Sequence, residues 1–225
     1  VPVEPRVVVA TPGAEPACDP GYRAVLILDA RNQLQRASLD ATEDAGGIVV
    51  GLLGIPGAPS AEFQLSGEGP LEDHRATIRL ATDGEERLAG TVNLGQEADG
   101  SYRLVADVAG NIAPILAPDH VDFFGTDVGL VLDARRTTTG RTLVESLSLR
   151  TRSVQLDGSA VIAADFLPEA VDITGTLADP DGTPVLLPFG DSPTRVDRAE
   201  FRLSGGFGAD QGWRLAFARA ARDGV

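Results

Sequence analysis

The chain has 225 residues, 43% of them apolar and 23% charged, which is enough to bury a core and too apolar for a disordered chain. Its net charge of −14 argues against nucleic acid, whose phosphates demand basic patches, and against electrostatic docking on anionic membranes. A single cysteine, Cys18, excludes an internal disulfide, and aromatics at 5% leave little material for stacking on sugars or bases.

The chain has no Met and opens Val1-Pro-Val-Glu-Pro5 without a leader pattern, so it reads as part of a longer or processed protein. Residues 1–22 carry five prolines around Arg6-Val-Val-Val9, which predicts an edge strand followed by a linker. Arg23–Asp29 follows as a strand apolar on both faces or imperfectly patterned, and Arg36–Thr42 as an alternating one. Two acids, Glu43 and Asp44, then precede an apolar run, which predicts a helix near 43–54 with Ile48, Leu52 and Leu53 on one face. The run Gly46–Ile55 has about half of the roughly 20 residues that a membrane-spanning helix needs.

From Phe63 onward the alternation dominates. Phe63–Gly67, Arg75–Leu80, Arg87–Leu94 and Tyr102–Val108 read as strands, with Asp83-Gly84 and Asp99-Gly100 as the turns of a meander. Residues 112–124 break the rhythm and predict a short helix or two turns ending at Gly125. Strands resume at Val128–Ala134, near Leu143, at Val154–Ile162 and at Val171–Leu177. Asp179-Pro-Asp-Gly182 is a turn, Pro184–Phe189 an extended apolar segment, and Arg195–Leu203 and Trp213–Phe217 are the last strands. Beyond 217 the alternation is lost, so residues 218–225 read as a frayed or truncated end. Strand spacing is too uneven for a propeller or a leucine-rich repeat.

Little here predicts catalysis. The only histidines, His74 and His120, have no partner at metal-ligand spacing, and both read as solvated turn residues. The Asp residues around 179–182 lack the ligand series and closing Glu of a calcium loop. There is no GxSxG elbow, and Gly46-Gly47 and Gly205-Gly206 lack a phosphate-loop Lys. What remains is the apolar face of each strand. Period two leaves two readings open: the core of a closed sandwich, or an unclosed sheet whose inner face meets lipid tails.

Four stretches carry a resemblance: "GGIVVGLLGIPGAP" (46–59), "AEFQLSGEGPLEDHRATIRLATDGEERLAGTVNL" (61–94), "IAPILAPDHVDFFG" (112–125) and "LSLRTRSVQLDGSAVIAADFLPEAVDITGTLADPDGTPVLLPFGDSPTRV" (147–196). They resemble the TamB family of translocation and assembly module proteins, in its alphaproteobacterial style. The resemblance covers about residues 23–217 and leaves out the Pro-rich start. It implies an internal fragment of a periplasmic protein tethered to the inner membrane by a segment this chain lacks. It implies a mainly β fold: a long curved antiparallel sheet, a β-trough, with one or two short helices near 43–54 and 112–124. It also implies an AsmA-like, bridge-like carrier of phospholipid toward the outer membrane, working with the barrel partner TamA in outer-membrane biogenesis and protein secretion, with no enzyme chemistry and no cofactor.

On that reading the groove is lined by Ile78, Leu80, Leu88, Val92, Leu94, Leu104, Val108, Leu130, Leu132, Leu149, Leu156, Ile162, Ile173, Leu177, Phe201, Leu203, Leu215 and Phe217. The segments 46–55 and 112–124 are candidates to cap it. Two rivals stand beside it: a scaffold that pairs strands of nascent outer-membrane proteins, and an adhesin or sugar-binding β-sandwich.

Overall fold

A computed structural model describes residues 6–10, 21–28, 34–188, 194–207 and 212–221. Cys18, Asp19, Asp29, Phe189 and Asp210 lie outside them.

The alternating segments are strands, and nearly all of them join one sheet. In chain order these are β1 (Arg6–Ala10), β2 (Gly21–Leu28), β3 (Leu34–Glu43), β4 (Ala61–Glu68), β5 (Asp73–Thr82), β6 (Glu85–Gln96) and β7 (Tyr102–Gly110). They continue with β8 (Val128–Arg136), β9 (Thr142–Arg150), β10 (Val154–Ile162), β11 (Pro168–Ala178), β12 (Val185–Leu187), β13 (Thr194–Val196), β14 (Arg198–Gly205) and β15 (Arg214–Ala221). Thirteen strands form an antiparallel sheet in the order β1 to β11, then β14 and β15, while β12 and β13 pair with each other. The sheet does not close, since β1 and β15 stand at opposite edges.

The topology is an up-and-down meander, so successive connections fall at alternate ends of the strands. One end carries the connections after β2, β4, β6, β8, β10 and β14. The other carries the helices and the small hairpin of the described residues: α1 (Ile48–Leu52) after β3, a 3-10 turn (Ala113–Ile115) and α2 (Pro118–Phe124) after β7, and the β12–β13 hairpin after β11. The expected Asp83-Gly84 hairpin is present, with both residues in the left-handed region that such a turn requires (φ 50° and 77°).

Several expectations need correction. The first helix spans only Ile48–Leu52, because Glu43 is the last residue of β3. Glu43 still serves the helix start: its carboxylate accepts the Val49 and Val50 N–H groups at 3.0–3.3 Å. The helix buries Val50, and the anticipated face of Ile48, Leu52 and Leu53 is exposed. The single strand expected over Arg195–Leu203 breaks at Asp197 into β13 and β14, which belong to different sheets. β15 begins after Trp213 and runs to Ala221, beyond the expected end of regular structure at 217. The apolar run in β2 is not buried on both faces, since Val25 and Ile27 are half-buried and Leu26 is exposed.

Two glycines show how the sheet bends. Gly90 in β6 and Gly158 in β10 share the apolar face. A Cβ on Gly90 would collide with the Asp107 carbonyl and sit 2.7 Å from the Val108 Cα. A Cβ on Gly158 would sit 2.5 Å from the Asp172 carbonyl oxygen and 2.8 Å from the Ile173 Cα. Neighbouring backbones approach this closely on one face only if the sheet folds toward that face, and glycine permits the approach. Gly90→Val is therefore expected to destabilise the chain by about 1–3 kcal/mol, read as a lower urea midpoint. An unchanged midpoint would show that β6 and β7 are not packed so closely.

Candidate functional site: an unpartnered apolar face

Antiparallel partners in register point to the same side, so the pairing can be followed from edge to edge. One row runs Leu39, Leu65, Ile78, Gly90, Val108, Leu130, Leu149, Leu156, Gly175, Phe201, Phe217 through eleven strands from β3 to β15. The next runs Gly67, Ala76, Val92, Ala106, Leu132, Leu147, Gly158, Ile173, Leu203, Leu215. Leu80 pairs Leu88, Leu94 pairs Leu104, and Leu177 pairs Val154 and Ala199. Ile162 shares parity with Leu156 along β10. The anticipated lining residues therefore all share one face.

Sequence reasoning missed the same face in earlier strands, where Leu39, Phe63 and Leu65 continue it, and also Leu147 and Val171. The period-two signal was available there too, since these strands alternate over 8 to 11 residues as the others do.

Among the described residues almost nothing covers this face. Apart from neighbours within a sheet, the main contact between elements is that of α2 with β12 and with the 3-10 turn. Among the described residues the packed hydrophobic cluster is small: Phe123 from α2, Val185 from β12, and Leu177 and Ala199 from the sheet, flanked by Phe124, Val154, Leu187 and Val196. Leu177 thus differs from the other anticipated lining residues, being buried beneath this cap. At β3, α1 approaches from the same side, because Glu43 shares the parity of Leu39 and its carboxylate holds the helix start. The other large apolar residues stay half-buried or, at Leu26, Leu39 and on β15, exposed, while small ones between them such as Ala76, Ala106 and Ala134 are buried. Phe201 and Leu156 lean over Gly175, which smooths the floor.

Both histidines are placed differently from a pair of solvated turn residues. His74 is a strand residue, buried on the apolar face opposite Leu94, its ring over Gly67 and its Nδ1 2.7 Å from the Gly69 carbonyl oxygen. Gly67, lacking a Cβ, leaves room for the ring, a pairing that spans a turn and has no local signature. His120 lies half-buried inside α2, 6.4 Å from the Phe124 ring.

The opposite face is charged and self-satisfied. Arg36 meets Glu68 at 2.7 Å, Arg150 grips both Asp157 oxygens at 2.8 Å, Arg103 grips Asp133, and Arg202 grips Asp172. Arg135 reaches Glu145 and Asp99 at 3.4 Å. These guanidinium bonds hold Asp133, Asp157 and Asp172 below the usual carboxylate range, and the Ser101 hydroxyl does the same for Asp99. Shallow depressions of about 380 and 450 Å³ lie over this face, between rows of long charged side chains. Beside the cap, a cavity of about 680 Å³ contains Arg152 and Asp179. Arg152 bonds Asp179 at 3.0 Å and Asp181 at 2.6 Å, which lowers the Asp179 pKa and makes 179–182 a tied turn. Among the described residues no group of three or more His, Cys, Asp or Glu could hold a metal ion.

No family model, curated protein or solved structure matches the chain.

The depressed Asp133 carboxyl carries a pH signature. A carboxyl whose pKa is lower in the folded chain stabilises it above the unfolded value near 3.8, and that contribution fades as pH falls through the folded value. The melting-temperature gap between wild type and Asp133→Asn is therefore expected to be constant at neutral pH and to close below about pH 4. A gap that persists at pH 2 would show that the Arg103 pairing is not its source.

Proposed function

We propose that this chain carries the acyl chains of phospholipid along its apolar sheet face, as a segment of a periplasmic conduit of the TamB type. The observation that carries the reading is the apolar row that continues through eleven strands from β3 to β15, against which, among the described residues, only the short helices and the small β12–β13 hairpin are placed. A sandwich would bury that row against another layer. In water a bare apolar face of this size calls for an occupant.

Thirteen strands at about 4.8 Å spacing give a floor on the order of 60 Å long. That is long enough for several acyl chains lying across the strands. Each methylene taken from water contributes about 0.8 kcal/mol. The rows repeat similar side chains from strand to strand, so a chain can slide without meeting a much deeper position. The charged face stays in water, and the cap of α2 and the β12–β13 hairpin closes the face at β10, β11 and β14, which directs cargo along the remaining floor. The chemistry needs no nucleophile, metal or cofactor. No helix among the described residues is long and apolar enough to cross a membrane. Periplasmic placement, tethering to the inner membrane, travel toward the outer membrane and the TamA partnership belong to this proposal through the family resemblance.

A second reading is favoured by one feature. β15 is an edge strand with Leu215 and Phe217 exposed, and it presents unpaired backbone groups to an incoming strand. A scaffold for outer-membrane protein assembly would use that edge.

Native mass spectrometry with lipid identification separates the two. Wild type is expected to carry phospholipid. Leu132→Asp places a charge on the apolar face and is expected to reduce occupancy at least tenfold. Val131→Asp, one residue away on the charged face, is expected to leave it unchanged. Lipid-free wild type, or equal loss in both variants, would sink the carrier reading and favour the scaffold.

A further inference from the structure

The apolar loop around α1 is not absorbed by the carrier reading, and among the described residues it holds the most exposed large apolar side chain, Leu52. Ile48, Leu52 and Leu53 are 74%, 84% and 67% exposed, with Val49 at 43% beside them. Residues 45–60 contain no charged side chain in a chain of net charge −14. Within the loop Val50 and Pro59 are buried and Ile55 is half-buried.

We propose that this loop inserts into the surface of a phospholipid bilayer. Three observations favour a bilayer over a protein partner. First, the loop's backbone is largely satisfied internally. Gly46 donates to the Ala58 carbonyl at 2.8 Å, Gly47 to Asp44 at 3.0 Å, Ile55 to Val50 at 3.1 Å and Ala58 to Ile55 at 3.1 Å, while Val49 and Val50 donate to Glu43. Hydrocarbon demands such closure because it offers no replacement partners, whereas a protein interface supplies its own. Second, the exposed side chains are all aliphatic. They lack the Tyr, Trp or Arg that anchor protein interfaces and any polar group to fix an orientation. Third, the helix is too short to span a bilayer, and its exposed aliphatic side chains fit shallow, one-leaflet insertion.

The loop lies at the capped end of the sheet, on the side of the apolar face, since Glu43 reaches it from that face. Insertion there would bring the apolar floor beside the leaflet. The inference does not depend on the floor carrying lipid. With acids flanking it at Glu43 and Asp44, binding is driven by apolar burial and is insensitive to salt.

The test is flotation of the full chain with phosphatidylcholine vesicles at low and high salt. Wild type is expected to float equally in both. Leu52→Asp combined with Leu53→Asp, both at exposed positions, is expected to lower the bound fraction at least tenfold with an unchanged circular dichroism spectrum. Phe166→Asp, at an exposed turn of the opposite end, is expected to float as wild type does. Leu132→Asp is also expected to float, which separates this proposal from lipid carriage. A wild type that stays with the soluble fraction, a double variant that floats normally, or loss of flotation in Leu132→Asp would each overturn the proposal. So would concentration-dependent self-association in sedimentation velocity without vesicle binding, which would assign the loop to a second copy of the chain.

Discussion

The pairing of Leu130 with Val108 on one side and Leu149 on the other is a small instance of the constraint on which the molecule rests. In a meander each strand takes its register from the strand before it, so which side chains share a face is inherited across the sheet. Because side chains alternate with period two, a slip of one residue anywhere would turn every later apolar residue to the charged face. Bulges adjust the register without such a reversal: at Leu80/Ala81, Asp133/Ala134 and Glu200/Phe201 the pairing shifts, and Leu88, Leu147 and Phe217 still return to the apolar row.

The two faces depend on each other energetically. Along β8, Val131, Asp133 and Arg135 alternate with Leu130, Leu132 and Ala134. The charged side chains belong to cross-strand ladders: Asp133 to Arg103, and Arg135 to Glu145 and Asp99. Exposed pairs of this kind stabilise little individually. Their larger effect is on specificity. A register slip would separate these pairs and set the ions among the half-buried leucines of the other face, where a partly desolvated charge without a partner costs more than a lost leucine contact. The ladders thus defend the register that makes the other face continuous.

How much of this could be read in the residues varies with the range of the interaction that decides it. Strand positions from Phe63 onward were legible because alternation and Asp-Gly turns are local, as at Asp83-Gly84. The membership of one face follows from local parity, and Ile78 through Phe217 were recognised that way. Three features were not legible because distant residues decide them. Glu43 looks like the first acid of a helix, yet it finishes β3 and serves the helix across a loop. His74 looks like a turn histidine, yet Gly67, across the β4–β5 turn, leaves the hole its ring fills. Arg195 to Leu203 reads as one strand, yet β12 draws Thr194–Val196 out of the sheet and the chain breaks at Asp197. The choice between a closed sandwich and an open face was also illegible, since it depends on whether a second layer exists, and alternation says only that one side is apolar.

That last choice bears on stability as well as on cargo. A single sheet leaves Leu130, Leu132, Leu149 and Ile173 half-buried, so the chain gains less from their removal from water than a two-layer domain would. The cluster of Phe123, Leu177, Val185 and Ala199 adds a local anchor, not a core for the whole sheet. An occupant that covers the apolar floor supplies the missing burial, and any ligand that binds the folded chain and not the unfolded one stabilises it in proportion to its occupancy. On the proposed reading, loading would stabilise the sheet and unloading would return it to its least stable form, and the weakness of the bare face would follow from the same geometry that would let an acyl chain lie there without a specific contact.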